Sequence, residues 1–234
     1  MARFRMAVVM VVITGCMPVG TFRTARTLDP GTWEVAAGNG YVHRPTCWRS
    51  SGGSLPPIVF QCGYPQFVAL ARVGLLPWLD LGLRASVIGA EVEVGLGLKK
   101  GPFAVSLVPS VGVLAQASYG PFGAILGSGS FKTAAQVPLL LGIGLLPSNP
   151  RLLEITVGAI GRYELELSSP PQEALFAGAS VGISTQVARH FFLRAEGVYL
   201  WRLYSSWSRS PLLNSNVMQV LLGCGVTFGS GRRE

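Results

Sequence analysis

Residues 79–100, "LDLGLRASVIGAEVEVGLGLKK", decide the fold. From Leu79 onward the odd positions Leu79, Leu81, Leu83, Ala85 and Val87 are apolar, and the even ones are Asp80, Gly82, Arg84 and Ser86. After Gly89 the phase flips, and Val92, Val94, Leu96 and Leu98 alternate with Glu91, Glu93, Gly95 and Gly97. A period of two marks strands with one apolar and one charged face. The fold then turns on which of the two faces is inside.

The chain of 234 residues is only 13% charged and carries 30 glycines, with a mean hydropathy of +0.44. Soluble domains average about 25% charged residues, so this surface is short of charge. The net charge is +8 and the isoelectric point about 9.8. No basic helix, zinc-ligand spacing or RNA-binding motif accompanies the charge, so nucleic acid is not expected as a partner; a basic protein also suits anionic lipid.

Met1–Gly15 reads as a leader, with Arg3 and Arg5 before the apolar run Met6–Ile13, which is too short to span a bilayer as a helix. It ends in Ile13-Thr14-Gly15-Cys16, which resembles the bacterial lipobox, and that resemblance implies lipidation of Cys16. An ordinary secreted leader with an incidental cysteine is the other reading. Without Arg3 and Arg5, 17 of the 19 basic side chains face 11 acids, a mature side-chain charge of +6. Cys47 and Cys62 flank a Pro/Gly/Ser-rich stretch and are a candidate disulfide in an oxidising compartment, two free thiols being the alternative. Cys224 is left over on a strand.

The opening pattern recurs. Strands are expected at about 32–42, 66–76, 79–88, 91–99, 102–117, 131–146, 151–166, 175–187, 191–204 and 216–228. Leu76–Leu79, Lys99–Pro102, Pro147–Pro150 and Ala188–His190 are tight turns, whereas 43–65, 118–130, 167–174 and 205–215 are longer and rich in Gly, Ser and Pro. Short turns at one end and longer loops at the other are the layout of an outer-membrane barrel. The fold expected is therefore all-β, a closed antiparallel up-and-down transmembrane barrel of about ten strands. Eight is the alternative, because the Ile88–Ala90 connection is so short. The uncharged stretch from Gly101 to Phe131 is long enough for a helical span, but Pro102, Pro109, Pro121 and many glycines oppose a helix.

Sidedness follows from parity. The apolar parity contains no charge, and its aromatics gather at strand ends: Trp33, Phe103, Phe191 and Phe228 by the short turns with Trp78 in one of them, and Tyr41, Phe67, Phe131, Tyr163, Tyr199 and Trp201 by the loops. Two aromatic belts around an apolar band are what the two headgroup regions select, so the apolar face belongs outside, in lipid. The inward set is Glu34, Arg72, Asp80, Arg84, Glu91, Glu93, Lys99, Lys132, Glu154, Arg162, Glu164, Arg194, Glu196 and Arg202, seven acids and seven bases. Buried charges persist when paired, so a lumen closed by ion pairs is expected, with a narrow channel for small solutes as the rival. The surplus positive charge is expected outside the lumen, with Arg23 and Arg26 on a periplasmic tether and Arg44 and Arg49 in the first external loop.

The strands of the type Asp80-Leu81-Gly82-Leu83-Arg84, together with the terminal Val226-Thr227-Phe228, resemble those of small bacterial outer-membrane β-barrel proteins of the OmpA-like and porin-like superfamily. The resemblance spans residues 30–228 and implies outer-membrane lipid and the barrel-insertion machinery as partners. The chain is expected to divide into leader (1–15), periplasmic tether (16–30), barrel (31–228) and C-terminal tail (229–234), with both termini periplasmic because an even strand count returns them to the short-turn side. Fold does not choose a function. His43 and His190 are the only histidines, and neither stands in a recognisable catalytic or metal-binding spacing. The reading is a non-enzymatic protein with no cofactor, whose external loop 43–65 presents Arg44, Trp48 and Arg49 for contacts.

Overall fold

The computed structural model describes residues 20–43, 63–86, 89–120, 123–146, 148–167, 170–206 and 216–229. Cys16, Cys47, Cys62, Arg44, Trp48 and Arg49 lie outside them. The strands are β1 (Thr32–His43), β2 (Gly63–Leu76), β3 (Leu79–Ser86), β4 (Gly89–Lys100), β5 (Phe103–Leu107), β6 (Ser110–Gly120), β7 (Gly123–Gly144), β8 (Leu153–Glu166), β9 (Gln172–Gln186), β10 (Phe191–Ser205) and β11 (Val217–Gly229).

Apart from β5 and β6, which both lie between β4 and β7, consecutive strands pair antiparallel, and β1 pairs β11 from Thr32↔Gly229 to His43↔Met218, which closes the sheet. β5 and β6 are one strand with a proline break. Their register against β4 and β7 is unchanged across it, with Leu107↔Leu139 before the gap and Ser110↔Gln136 after. Val94 N–H donates to Pro109 O and Val108 N–H to Pro138 O, both at 2.9 Å. Neither proline has an N–H to return the bond, so the ladder lapses there without changing course. The result is a closed antiparallel barrel of ten strands. The short hairpin does not merge β3 with β4, because Ser86↔Gly89 pair and close it around two residues.

One connection differs from expectation. Within 118–130, expected as a loop, residues 118–120 and 123–130 continue the β6–β7 hairpin, with Ala117↔Leu126 and Gly120↔Gly123 paired beyond a bulge between Ala115 and Ala117. On its other side β7 pairs β8 only from Lys132 onward. The hairpin therefore rises past its neighbour. Its Gly/Ser content reads locally as a loop, and cross-strand pairing overrides that.

Alternating burial fixes the two faces. β1 alternates strictly over Thr32–Gly38, and Leu83, Val92, Leu141 and Val157 on the outer parity are exposed while Asp80, Arg84, Glu93 and Glu154 opposite them are buried. Trp33 and Phe228 stack on the outer face at the short-turn end, ring centroids 6.5 Å apart. The charges point inward and the apolar side chains outward, the arrangement a lipid exterior requires.

Candidate functional site

The lumen is not filled by wall side chains alone. Residues 20–29, expected as a tether outside the barrel, run inside it. The chain turns at Asp29-Pro30-Gly31, where Thr32 N–H donates to Asp29 O and Gly31 N–H to Gly74 O. Traced backward from there, it climbs the lumen to Gly20. Thr21, Phe22, Arg23, Ala25, Arg26, Thr27 and Leu28 are all buried. This segment has no strand or helix of its own, so wall side chains must satisfy its backbone.

They do so level by level. At the short-turn mouth, Asp29 pairs with Lys99 and Arg151, and Thr27 Oγ1 donates to Pro77 O at 2.8 Å. Burial raises the Asp29 carboxyl, but the Lys99 and Arg151 cations outweigh that and hold it below the usual carboxylate value. One level up, Glu154 accepts from Ala25 N at 3.2 Å and forms an ion pair with Arg26 Nε at 2.9 Å, while Arg26 Nη2 donates to Pro102 O at 2.6 Å. Arg23 then forks between Asp80, at 3.0 Å, and Glu93, at 2.9 Å. Arg72 bridges Asp80 and Glu34 at 2.7 and 3.2 Å and donates to Arg26 O at 3.1 Å.

Near the top of the segment, Glu196 accepts from Thr21 N at 3.0 Å, Thr21 Oγ1 at 2.8 Å and Phe22 N at 2.6 Å. Phe22 sits at φ 49°, a conformation costly for a residue with a Cβ. Two consecutive amides converging on one carboxylate hold it there. Arg194 donates to Phe22 O at 2.7 Å and lies over the Phe22 ring, 5.8 Å from its centroid. Gly20 N donates to Gln219 Oε1 at 2.8 Å, and Gln219 in turn bonds Gln66.

The wall is contoured for this segment. A Cβ on Gly38 would stand 2.6 Å from Phe22 Cζ, and one on Gly223, its cross-strand partner, 2.5 Å from the same atom. On Gly95 it would collide with Arg23 Nη2, and on Gly142 it would meet Ala25 Cβ at 2.9 Å. These glycines permit close approach of the plug rather than strand curvature.

Beyond Gly20, toward the loop end, the lumen has two sides. Arg84 pairs with Glu91, Arg162 with Glu164 at 2.8 Å and with Glu91 at 3.5 Å, and Lys132 with Glu166 at 3.3 Å. Facing them is an apolar cluster that includes Val42, Ile160, Phe176, Val198, Leu200 and Val217. Toward the short turns the barrel opens into a bowl of about 990 Å³, floored by Arg26, Leu28 and Asp29.

All ten of Glu34, Arg72, Asp80, Arg84, Glu91, Glu93, Glu154, Arg162, Arg194 and Glu196 are buried in the lumen, with Arg202 half-buried at its loop end. The expected balance between wall acids and wall bases does not describe their pairing. Arg23 and Arg26, assigned by sequence to the outside, are 3% and 8% exposed and complete the network. Sequence reasoning missed them, with Thr21 and Phe22, because 17–30 has no periodicity; the one signal was two arginines spaced among small residues. His43 closes β1 at the loop end and His190 lies in a turn at the opposite end, so the barrel keeps them apart.

The chain matches no protein-family model and no curated relative. Among solved structures it is similar to Neisserial surface protein A, at 10% identity and a TM-score of 0.39 over 85% of this chain and 99% of that one. It is similar to the outer membrane protease OmpT from Escherichia coli, at 8% identity and a TM-score of 0.40 over 88% and 100%. A third is an outer membrane channel from Pseudomonas putida F1, at 9% identity and a TM-score of 0.41 over 92% and 100%. At such identities and scores the likeness identifies no family for this chain.

Proposed function

We propose that the protein is a self-plugged β-barrel of the bacterial outer membrane, closed to solute flow at rest, with a structural or contact-making role rather than a catalytic one. The membrane reading is supported by the exposed apolar band and its aromatic ends. The observation that carries closure is the occupation of the lumen by residues 20–29, held by Asp80, Glu93, Glu154 and Glu196. Surface contacts fall to the external loops, chiefly 43–65 with Arg44, Trp48 and Arg49, where a Cys47–Cys62 bridge would restrain the chain. The terminal Val226-Thr227-Phe228 is the segment offered to the barrel-insertion machinery.

Lipidation of Cys16 belongs to the same proposal, with one consequence. Gly20 is held at Gln219, ten residues up β11 from Gly229 and so about 25 Å along a tilted barrel. Four residues of extended chain reach about 14 Å. A lipid on Cys16 with the plug in place is therefore delivered toward the loop side, and an anchor at the short-turn side requires the plug to withdraw. Mass spectrometry of the mature N-terminus decides whether the lipid is there.

A narrow channel is the second reading, favoured by the bowl of about 990 Å³ that opens the barrel at one end. Recording from the purified full chain in planar bilayers separates the two. The closed reading expects no stable conductance; reproducible unitary currents from the unaltered protein overturn it.

A further inference from the structure

Among the described residues, three buried wall carboxylates have no ion pair with a cation of the wall. Glu93 on β4 is paired by Arg23 of the plug. Glu154 on β8 is served by Arg26 and Ala25 N–H, with a long contact from Thr156 Oγ1 at 3.4 Å. Glu196 on β10 is served by Thr21 and Phe22. The other buried wall acids each have a wall base: Glu34 has Arg72 and Arg194, Asp80 has Arg72, Glu91 has Arg84, Glu164 has Arg162 and Glu166 has Lys132. The three exceptions stand on separate strands around the lumen at the level of the plug, and all are at most 5% exposed.

An ionised carboxylate in that position is strongly disfavoured unless something cationic or hydrogen-bonding attends it. Guanidiniums and amides of the plug do so here. Should the plug leave, the nearest wall cations, Arg84 by Glu93 and Glu196 and Arg194 by Glu154, are already paired with Glu91 and Glu34, so water and mobile cations would supply the remainder. The path they would take is already begun. The bowl reaches Glu154 from the short-turn mouth, and beside the plug a cavity of about 10 Å³, room for one water, touches Arg23, Thr24, Ser180, Ser184 and Glu196.

We propose that the barrel is a cation-selective pore gated by its own N-terminal segment, with Glu93, Glu154 and Glu196 as the residues that set selectivity. Carboxylates spaced along a narrow lumen concentrate cations and repel anions, and the loop-end pairs Arg84–Glu91, Arg162–Glu164 and Lys132–Glu166 oppose this little. The inference rests on the closed reading, since a barrel that conducts with its plug seated needs no gate.

The test is bilayer recording under a KCl gradient with three proteins: the full chain, the full chain carrying Arg23→Gln and Arg26→Gln, and a chain lacking residues 20–28. Each is first checked for wild-type circular dichroism and heat-modifiable migration. The expected result is silence from the first and currents from the plug variants, with a reversal potential of the sign for cation preference. Adding Glu93→Gln, Glu154→Gln and Glu196→Gln to the double variant should carry that potential toward zero. Folded plug variants that pass no current, prefer anions, or keep their selectivity after the glutamine changes overturn the inference. If the deletion does not fold, the double variant alone separates the same outcomes. Currents from the unaltered chain refute the closed reading first, and are distinguishable because they need no change to the plug.

Discussion

Phe22→Ala is the most incisive perturbation, because the ring ties the plug to the wall without carrying charge. Phe22 is fully buried and clusters with Ala36, Val68, Leu70, Phe192 and Leu221. Its edge rests against the bare backbone at Gly38 and Gly223, and Arg194 roofs it. Truncating a buried phenylalanine costs about 3–5 kcal/mol, and the lost cation–π contact adds about 0.5–2 kcal/mol. Water admitted beside Arg194 and Glu34 offsets part of this, which places the net near the lower end. At about 1.4 kcal/mol per factor of ten, 3 kcal/mol multiplies the opening equilibrium of the plug by roughly a hundred.

Hydrogen exchange of the detergent-solubilised protein reads this directly. The amides of Thr21, residue 22, Ala25 and Leu28 should lose about two orders of magnitude of protection in the variant, while paired strand amides such as Val157 and Leu193 keep theirs. Gly38→Ala should act through the same contact, its Cβ 2.6 Å from the ring, and the double variant should be less perturbed than the sum of the singles. Unchanged protection in the plug refutes the packing argument. Equal loss in the strands refutes the idea that the plug opens as a unit separate from the barrel.

Three further outcomes follow from the same geometry. Glu196→Ala strands the Thr21 and Phe22 amides inside the lumen, at about 1–3 kcal/mol for each buried donor, and should raise plug exchange more than Glu196→Gln, which keeps one acceptor. Val157→Arg or Leu83→Arg on the lipid face should lower stability in urea titrations from vesicles by about 2–4 kcal/mol, and no loss would put that face elsewhere than in lipid. Asp29, held below its ordinary value by Lys99 and Arg151, contributes stability present above about pH 4 and lost as pH falls through its lowered folded value. The bridge is partly exposed and worth at most about 1 kcal/mol, so the urea midpoints of the wild type and Asp29→Asn should differ modestly at neutral pH and converge in acid.

Parity made the barrel legible. A two-residue period over 79–100 and its recurrence settle strand identity, and the absence of charge on one parity settles sidedness, because lipid tolerates no alternative. The same parity placed Glu34, Asp80, Glu154 and Arg194 inside. The plug was illegible for a physical reason. An irregular segment whose backbone is satisfied by other strands has no period to detect, and its partners lie far away in sequence, Glu196 being 175 residues from Thr21. The glycines hid the same information, since Gly38 and Gly142 look locally like strand flexibility and only the folded lumen reveals what they make room for. Residues 118–130 failed in the opposite direction, their turn-like composition masking continued pairing.

Once the plug is counted, the closed barrel and the channel cease to be rival descriptions. Arg72 serves the wall with or without the segment, because Glu34 and Asp80 are both its partners. Glu93, Glu154 and Glu196 do not share that independence, since their ion-pair and hydrogen-bond partners come from the plug. The wall therefore has two arrangements that attend these acids, dry with Arg23 and Arg26 inside, or wet with them withdrawn, and a dry empty lumen would require the acids to be neutralised by protonation. Phe22 and the glycines beneath it bias the pair toward the dry arrangement through packing, while the acids fix the chemistry of the wet one. Packing acts on closure alone, so changing Phe22 should alter how often the lumen opens without altering what it admits, whereas changing Glu93, which also pairs Arg23 of the plug, should alter both.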